Sequence, residues 1–189
     1  MKKDKFLVKK LTLSAIMTAL ATVLSIFPTI NAPFGGSITV GSMLPIMLIS
    51  IILGSKWGIP VAICYSFIQL ALGFSAVASW GLSIEVFIGC LLLDYVLAFS
   101  VLSTANIFGT KTLTRTILGI SFAGLLRYIC HFLSGWLFFG TWAQEGFSAF
   151  TWAIVYNGGF MIPDTAICIV LTIAIYKMLP TFRKQINIQ

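Results

Sequence analysis

Four polar side chains of the sequence lie deep inside long apolar stretches: Asp94, Arg127, His131 and Asn157. Asp94 and Arg127 fall near the middle of neighbouring apolar segments, at similar depths from the segment ends. His131 follows Arg127 by four residues, which places the two on one face of a helix. Because a charge inside a membrane is costly, such a residue needs a partner and commonly marks a ligand site or pathway. We therefore predict that Asp94 and Arg127 pair, with His131 and Asn157 nearby.

Each of these residues also has a purely structural explanation, which the sequence leaves open. A buried ion pair can serve the fold alone, and a lone histidine can join two helices through a hydrogen bond. Asn157, followed by two glycines, can contribute to helix packing. An interfacial belt can account for three tryptophans: Trp136, Trp142 and Trp152. The shared depth of the polar groups favours a site, whereas Asp164 is left unassigned because it can also satisfy backbone groups freed by the adjacent proline.

Catalytic and metal-binding motifs are absent from the sequence. It contains no HExxH, GxSxG or GxGxxG pattern and no GxxxxGK[ST] loop for ATP. Four cysteines stand alone in apolar runs, without zinc-ligand spacing: Cys64, Cys90, Cys130 and Cys168. We therefore expect no enzymatic activity, no metal and no cofactor. An intramembrane enzyme using Asp94, His131 and Asp164 is the second hypothesis, and a self-sufficient secondary carrier is the third.

The composition identifies the environment of the chain. Of its 189 residues, 59% are hydrophobic and 9% are charged, whereas a soluble domain carries about a quarter charged residues. With a mean hydropathy of +1.03, the chain cannot cover a soluble surface, and disorder, collagen and coiled coil are excluded for the same reason. The net charge of +7 forms no basic face, because five of the twelve lysines and arginines lie in the first ten residues. It indicates membrane orientation rather than a nucleic-acid partner.

The chain predicts one integral-membrane domain over residues 1–189, an all-α bundle of six transmembrane helices. A spanning helix needs about 20 mostly apolar residues. Six segments qualify: about 11–30, 39–54, 58–77, 84–107, 114–139 and 149–179. Glycine, proline and serine separate the segments, and Pro45 lies inside the short second one. The first segment is long enough to span, which favours an uncleaved helix over a secretory signal.

The distribution of positive charges predicts the orientation. With the N-terminus in the cytoplasm, the cytoplasmic segments hold eleven of the twelve lysines and arginines, and the three outer loops hold none. This positive-inside pattern predicts that both termini are cytoplasmic and that the protein is a multi-pass protein of the cell membrane.

Several stretches in order along nearly the whole chain carry a family resemblance. They are residues 33–40 (PFGGSITV) with 44–46 (LPI), 92–95 (LLDY), 125–140 (LLRYxxHxxSGxxFFG) and 156–157 (YN). Together they resemble the thiamine-specific substrate-binding subunit, or S component, of energy-coupling-factor (ECF) transporters. The block over 125–140 is the most specific part of the resemblance.

The resemblance implies a high-affinity vitamin-binding subunit with an outward-facing pocket, most simply for thiamine uptake. Such a subunit docks on a transmembrane coupling subunit that carries two cytoplasmic ATPases. The ligand-binding positions that it implies are Asp94, Tyr95, Arg127, His131, Gly135, Phe139, Trp152 and Asn157. It implies a docking face at Ala15 and Ala19, a small-xxx-small pair whose structural alternatives are packing within the bundle and contact with lipid.

The chain departs from the best-known pattern of the family in three ways. That pattern has glutamate and lysine in place of Asp94 and Arg127, a reciprocal change that keeps the pair. It has tyrosine in place of Trp152. It also has a first-loop tryptophan that aligns near Gly36, so in this chain the stacking residue of the lid is either missing or replaced by Phe34. A thiamine precursor or another vitamin is therefore the alternative ligand.

Overall fold

The computed structural model of the protein describes residues 2–32 and 35–182. These residues form six principal helices: α1 (Lys2–Ile26), α2 (Leu44–Leu53), α3 (Ser55–Ala78), α4 (Ile84–Asn106), α5 (Leu113–Phe138) and α6 (Ala149–Met178). Five of them are long and apolar enough to cross a membrane, and α2 is the exception. Phe34, which the sequence left as one of two alternatives for the lid position, lies outside the described residues.

Each predicted segment overlaps one of these helices, and two differ from it by several residues. Helix α1 begins nine residues before the predicted start and ends at Ile26, because the residue before Pro28 is disfavoured in helical conformation. The second segment, predicted over 39–54, contains only the ten residues of α2. At 1.5 Å per residue α2 is about 15 Å long, half of a hydrocarbon core of about 30 Å. The count of six spans stays a prediction.

Helix α2 forms the centre of the core. Eight of its ten residues are buried, and it packs against α1, α3 and α4. Its sequence, LPIMLISIIL, has apolar side chains on every face, which is the pattern of an enclosed helix. The surrounding helices therefore bury α2, and the lipid-facing surface belongs to the longer ones.

Helix α4 changes its winding along its length. It is α-helical over Ile84–Cys90, π-helical over Leu91–Leu97 and α-helical again over Ala98–Ser100, and it ends as a 3₁₀ helix over Val101–Asn106. Single π turns inside α-helices occur frequently at functional sites. Asp94 lies in this π turn, whereas the sequence predicted only a regular helix.

A short hairpin, here called the first hairpin, lies between α1 and α2, and its described residues are 29–32 and 35–38. Its strands β1 (Ile30–Asn31) and β2 (Ser37–Ile38) are antiparallel, with Ile30 opposite Ile38. Two hydrogen bonds attach it and the following turn to α6: Gly36 N donates to the Tyr156 hydroxyl at 3.1 Å, and Thr39 N donates to Asp164 Oδ1 at 2.9 Å. The hairpin is therefore fixed across one end of the bundle, here called the hairpin end.

Candidate functional site

A cavity of about 530 Å³ lies under the first hairpin. Its walls come from α1, α3, α4, α5, α6 and the hairpin. All eight residues that the sequence singled out for ligand binding line it: Asp94, Tyr95, Arg127, His131, Gly135, Phe139, Trp152 and Asn157. The structure thus brings them together around one space, and their contact with a ligand stays a prediction.

Asp94 is the most heavily hydrogen-bonded carboxylate of the cavity. Its Oδ1 lies 2.7 Å from His131 Nδ1, and its Oδ2 accepts hydrogen bonds from the Ser134 hydroxyl and, at 3.3 Å, from the Cys90 thiol. Cys90 lies one turn before Asp94 on α4, whereas His131 and Ser134 lie on α5, three residues apart and therefore on one face. Since a carboxylate offers about four lone-pair sites, one remains for a ligand.

The predicted direct pair between Asp94 and Arg127 is wrong. Among the described residues, His131 lies between the two: its Nδ1 is 2.7 Å from Asp94 Oδ1, and its Nε2 accepts a 3.3 Å hydrogen bond from Arg127 Nε. A guanidinium only donates, so Nε2 must accept, which leaves the ring proton on Nδ1 for Asp94. His131 is therefore a neutral imidazole between the two charges. The sequence predicted that the three residues lie at similar depth, but it did not indicate which of them contact each other.

The Arg127 guanidinium also contacts Phe99, and the part of the cavity lined by these two residues is here called the floor. The Arg127 Cζ lies 4.2 Å from the centroid of the Phe99 ring, within cation–π range. Nη1 is buried and makes no hydrogen bond to a described residue. Asp164 interacts electrostatically with Arg127 and accepts hydrogen bonds from both Thr39 N and Thr39 Oγ1. Asp164, left unassigned from the sequence, thus links the floor to the turn after the first hairpin.

The charges around the cavity leave an excess of one negative charge. Its charged lining residues are the carboxylates Asp94 and Asp164 and the guanidinium of Arg127. His131 adds none, because its hydrogen bonds define the neutral form. A half-buried cavity with this balance favours a ligand that carries one positive charge.

Aromatic rings of α6 form one wall. Trp152, Tyr156 and Phe160 follow at intervals of four residues and therefore lie on one helix face. The Trp152 and Tyr156 rings are stacked with centroids 5.7 Å apart, and Phe160 contacts Tyr156 and His131 edge-on at 5.7 and 5.8 Å. Only Trp152 was included among the sequence-predicted site residues. The four-residue spacing of the aromatics was the signal that could have found the other two.

Two close approaches between helices set the positions of further lining side chains. A Cβ added at Gly135 would lie 2.9 Å from Asn157 Nδ2, which donates to Ala153 O at 2.8 Å. A Cβ added at Gly73 would lie within 3 Å of the Tyr95 ring and hydroxyl. Both glycines therefore allow a cavity-lining side chain to occupy space that any other residue at the glycine position would fill.

The sequence-predicted docking pair lies away from the cavity. Ala15 and Ala19 are exposed on α1, whereas the cavity-lining residues of this helix are Ser25 and Ile26. Ala19 precedes Ser25 by six residues, or about 9 Å along the helix. The pair is therefore available at the surface of the bundle, and its contact with a partner stays a prediction.

Comparisons with known proteins place the chain in a family. The family model described as thiamine transporter protein (Thia_YuaJ) matches residues 11–184. The thiamine transporter ThiT of Bacillus subtilis is 29% identical over 198 residues, which cover 97% of this chain and 98% of that protein. The solved structure of ThiT from Listeria monocytogenes has the same fold, with a TM-score of 0.73 and 24% identity over 95% of this chain and 97% of that chain. The chain is therefore a multi-pass membrane protein that belongs to the thiamine transporter family.

Proposed function

We propose that the protein is the thiamine-binding S component of an ATP-driven ECF importer. The observation that carries the proposal is the cavity itself, which combines aromatic walls, a polar edge and one excess negative charge. Thiamine matches each property, since it joins a flat aminopyrimidine to a thiazolium ring with a fixed positive charge. Family membership supports the same ligand.

The polar edge suits the aminopyrimidine ring. Asp94 has one acceptor site left for an amino group, and Asn157 Oδ1 makes no hydrogen bond to a described residue. In this assignment Asp94 and Asn157 recognise the pyrimidine edge, and Arg127 acts on the ligand through His131 rather than by contact with Asp94. Gly135 leaves the space that the Asn157 amide occupies, because a Cβ there would lie 2.9 Å from Asn157 Nδ2.

The aromatic walls suit both rings. Trp152 and Phe139 line the cavity from α6 and the end of α5, and Tyr95 lines it from the π turn of α4. A cation over such a face gains roughly 0.5–2 kcal/mol per contact. The thiazolium charge also neutralises the excess negative charge of the cavity. An uncharged aliphatic ligand would use neither feature.

Transport by this protein requires an energy source that its sequence does not supply, because it contains no ATP-binding loop. We therefore assign it a transmembrane coupling subunit and two cytoplasmic ATPases as partners. Ala15 and Ala19 form the docking face, since their small side chains let a partner helix approach closely. In this arrangement the chain has six spans with both termini in the cytoplasm, and the hairpin end faces outward.

Competition binding to the purified protein tests the ligand. Thiamine should bind most tightly, its pyrimidine and thiazole halves more weakly, and riboflavin not at all. Preference for the pyrimidine half would identify a precursor as the ligand, and saturable riboflavin binding without thiamine binding would refute the proposal. Chemical conversion of the bound molecule would instead support an intramembrane enzyme. Counterflow in liposomes without partner subunits would support a self-sufficient carrier.

A further inference from the structure

Three aromatic side chains from separate segments meet at the hairpin end of the cavity. Trp80 lies in the connection between α3 and α4, Phe139 follows α5, and Trp142 lies in the 3₁₀ turn Gly140–Trp142. Their ring centroids are 5.7 Å apart for Trp80–Phe139, 5.6 Å for Trp80–Trp142 and 4.9 Å for Phe139–Trp142. All three line the cavity, so the cluster borders the ligand space.

Two described residues of the first hairpin, Gly35 and Gly36, bring backbone close to aromatic rings at this corner. A Cβ added at Gly35 would lie 3.4 Å from the Trp80 ring, and one added at Gly36 would lie 2.6 Å from the Phe160 ring. The space beside Gly36 is thus already filled, and a larger residue there would have to displace Phe160. Trp80 and Phe160 consequently flank the two glycines and provide the aromatic surface beneath them.

The position of Trp80 is fixed by its own turn. Its backbone N donates to Val77 O at 3.2 Å, and Gly81 follows with φ of +66°, in the left-handed region that favours glycine. The indole is half-buried. Both of its ring contacts within the cluster are T-shaped, at 89° and 77°, so neither neighbour is stacked parallel to the indole.

We propose that Trp80 contacts the ligand and recognises its cationic ring. The assignment rests on the proposed function, because it takes thiamine as the ligand, and it adds a residue that the sequence pattern did not point to. Within the cluster, Trp80 lies beside the first hairpin, since a Cβ added at Gly35 would be 3.4 Å from its ring, so it joins the covering segment to the bound ring. Tryptophan is the aromatic side chain that binds cations best.

Calorimetric titration of three variants tests the proposal: Trp80→Phe, Trp80→Leu and the matched control Trp136→Leu. Trp136 is 42% exposed and contacts Phe132 and Phe150 rather than the cavity. The titrants are thiamine and an analogue whose thiazolium is replaced by an uncharged ring. We expect Trp80→Leu to raise the Kd for thiamine about tenfold, Trp80→Phe to raise it less, and Trp136→Leu to leave it unchanged.

The ratio of the two Kd values separates ligand contact from packing. Loss of a cation–π contact should reduce the preference for thiamine over the uncharged analogue, whereas loss of packing alone would weaken both equally and overturn the assignment. An unchanged thiamine Kd in Trp80→Leu would also overturn it. If Trp80→Leu does not fold, the same ratio measured for Trp80→Phe decides, since phenylalanine keeps a smaller aromatic face. Absence of thiamine binding by the unaltered protein would instead refute the proposed function.

Discussion

Asp94 and His131 join α4 to α5 through a hydrogen bond of 2.7 Å between Oδ1 and Nδ1. The other ring nitrogen of His131 accepts from Arg127 Nε at 3.3 Å, which fixes the neutral tautomer. The carboxylate of Asp94 is therefore surrounded by neutral donors, with the guanidinium one imidazole away. A direct ion pair would satisfy the charge of Asp94 inside the protein, whereas this arrangement leaves the charge for a cationic ligand.

Replacement of Asp94 by asparagine should weaken thiamine binding strongly. Asparagine lacks the negative charge, and its NH₂ group cannot accept the hydrogen bonds that His131, Ser134 and Cys90 donate to the carboxylate. Since hydrogen bonds to charged groups contribute about 1.5–3 kcal/mol, we expect the Kd measured by calorimetry to rise roughly 10- to 100-fold. Glu85→Gln is the control, because Glu85 is exposed at the first turn of α4. Equal, small changes in both variants would show that Asp94 does not contact the ligand.

Arg127 should control the tautomer of His131. This is the single histidine of the sequence, so ¹⁵N-histidine labelling yields the spectrum of one imidazole. In the unaltered protein we expect a protonated Nδ1 and an unprotonated Nε2. In Arg127→Met, Nε2 loses its donor and becomes free to carry a proton itself, so its ¹⁵N resonance should move toward that of a protonated nitrogen, with weaker thiamine binding.

The matched variant is Arg127→Lys, which keeps the charge. If its ammonium reaches Nε2, the ¹⁵N spectrum should stay close to that of the unaltered protein. An unchanged spectrum in Arg127→Met would show that Asp94 alone selects the tautomer.

The helices were predictable from the sequence because their signal is local. Apolar runs of sufficient length identified the five helices that are long enough to cross a membrane, and their interruption by glycine and proline identified the connections. The short α2 was harder, since a ten-residue apolar run has the composition of a span but fits a buried helix equally well. The π turn around Asp94 was not predictable, because the apolar run over residues 91–97 has nothing that distinguishes it from a regular α-helix.

The cavity residues were predictable where a charge or amide interrupted an apolar run, as at Asp94 and Asn157. Trp80 and Tyr156 carry no such signal, because an aromatic residue near a helix end equally suits the membrane interface. The order Arg127, His131, Asp94 depends on side-chain geometry across two helices, and sequence spacing gives only their shared level.

Gly135→Ala should weaken binding by displacing Asn157. The added methyl would lie 2.9 Å from Asn157 Nδ2, and the amide cannot retreat without losing its hydrogen bond to Ala153 O. We expect a rise in the thiamine Kd of about fivefold or more, equivalent to the loss of one hydrogen bond of about 1 kcal/mol. Gly159→Ala is the control, since an added Cβ there meets nothing within 4 Å. It should leave the Kd unchanged and slightly raise the melting temperature, because alanine favours helix.

Thr39→Val should speed thiamine dissociation. The variant loses the hydroxyl that contacts Asp164 and Ser42 but keeps the backbone hydrogen bond to Asp164. The first hairpin then remains attached to α6 less firmly, and we expect a dissociation rate about fivefold higher in stopped-flow fluorescence, for the loss of about 1 kcal/mol. Thr22→Val is the matched control, because its hydroxyl bonds only within α1, to Thr18 O. An identical dissociation rate in Thr39→Val would show that this attachment does not retain the ligand.

Replacement of both Ala15 and Ala19 by tryptophan should abolish uptake in cells without affecting binding by the isolated protein. Two indoles on this exposed face would hold a partner helix away from α1, and close approach of backbones is what small residues provide. The matched control is the double change Ile16→Trp with Leu20→Trp. These side chains have the same four-residue spacing and are 60% and 46% exposed on the neighbouring face of α1. Uptake of labelled thiamine should survive in the control and disappear in the alanine variant, with equal Kd values for both purified proteins. Equal uptake by the two variants would place the coupling surface on another helix, and a raised Kd in the alanine variant would show that α1 transmits the change to the cavity.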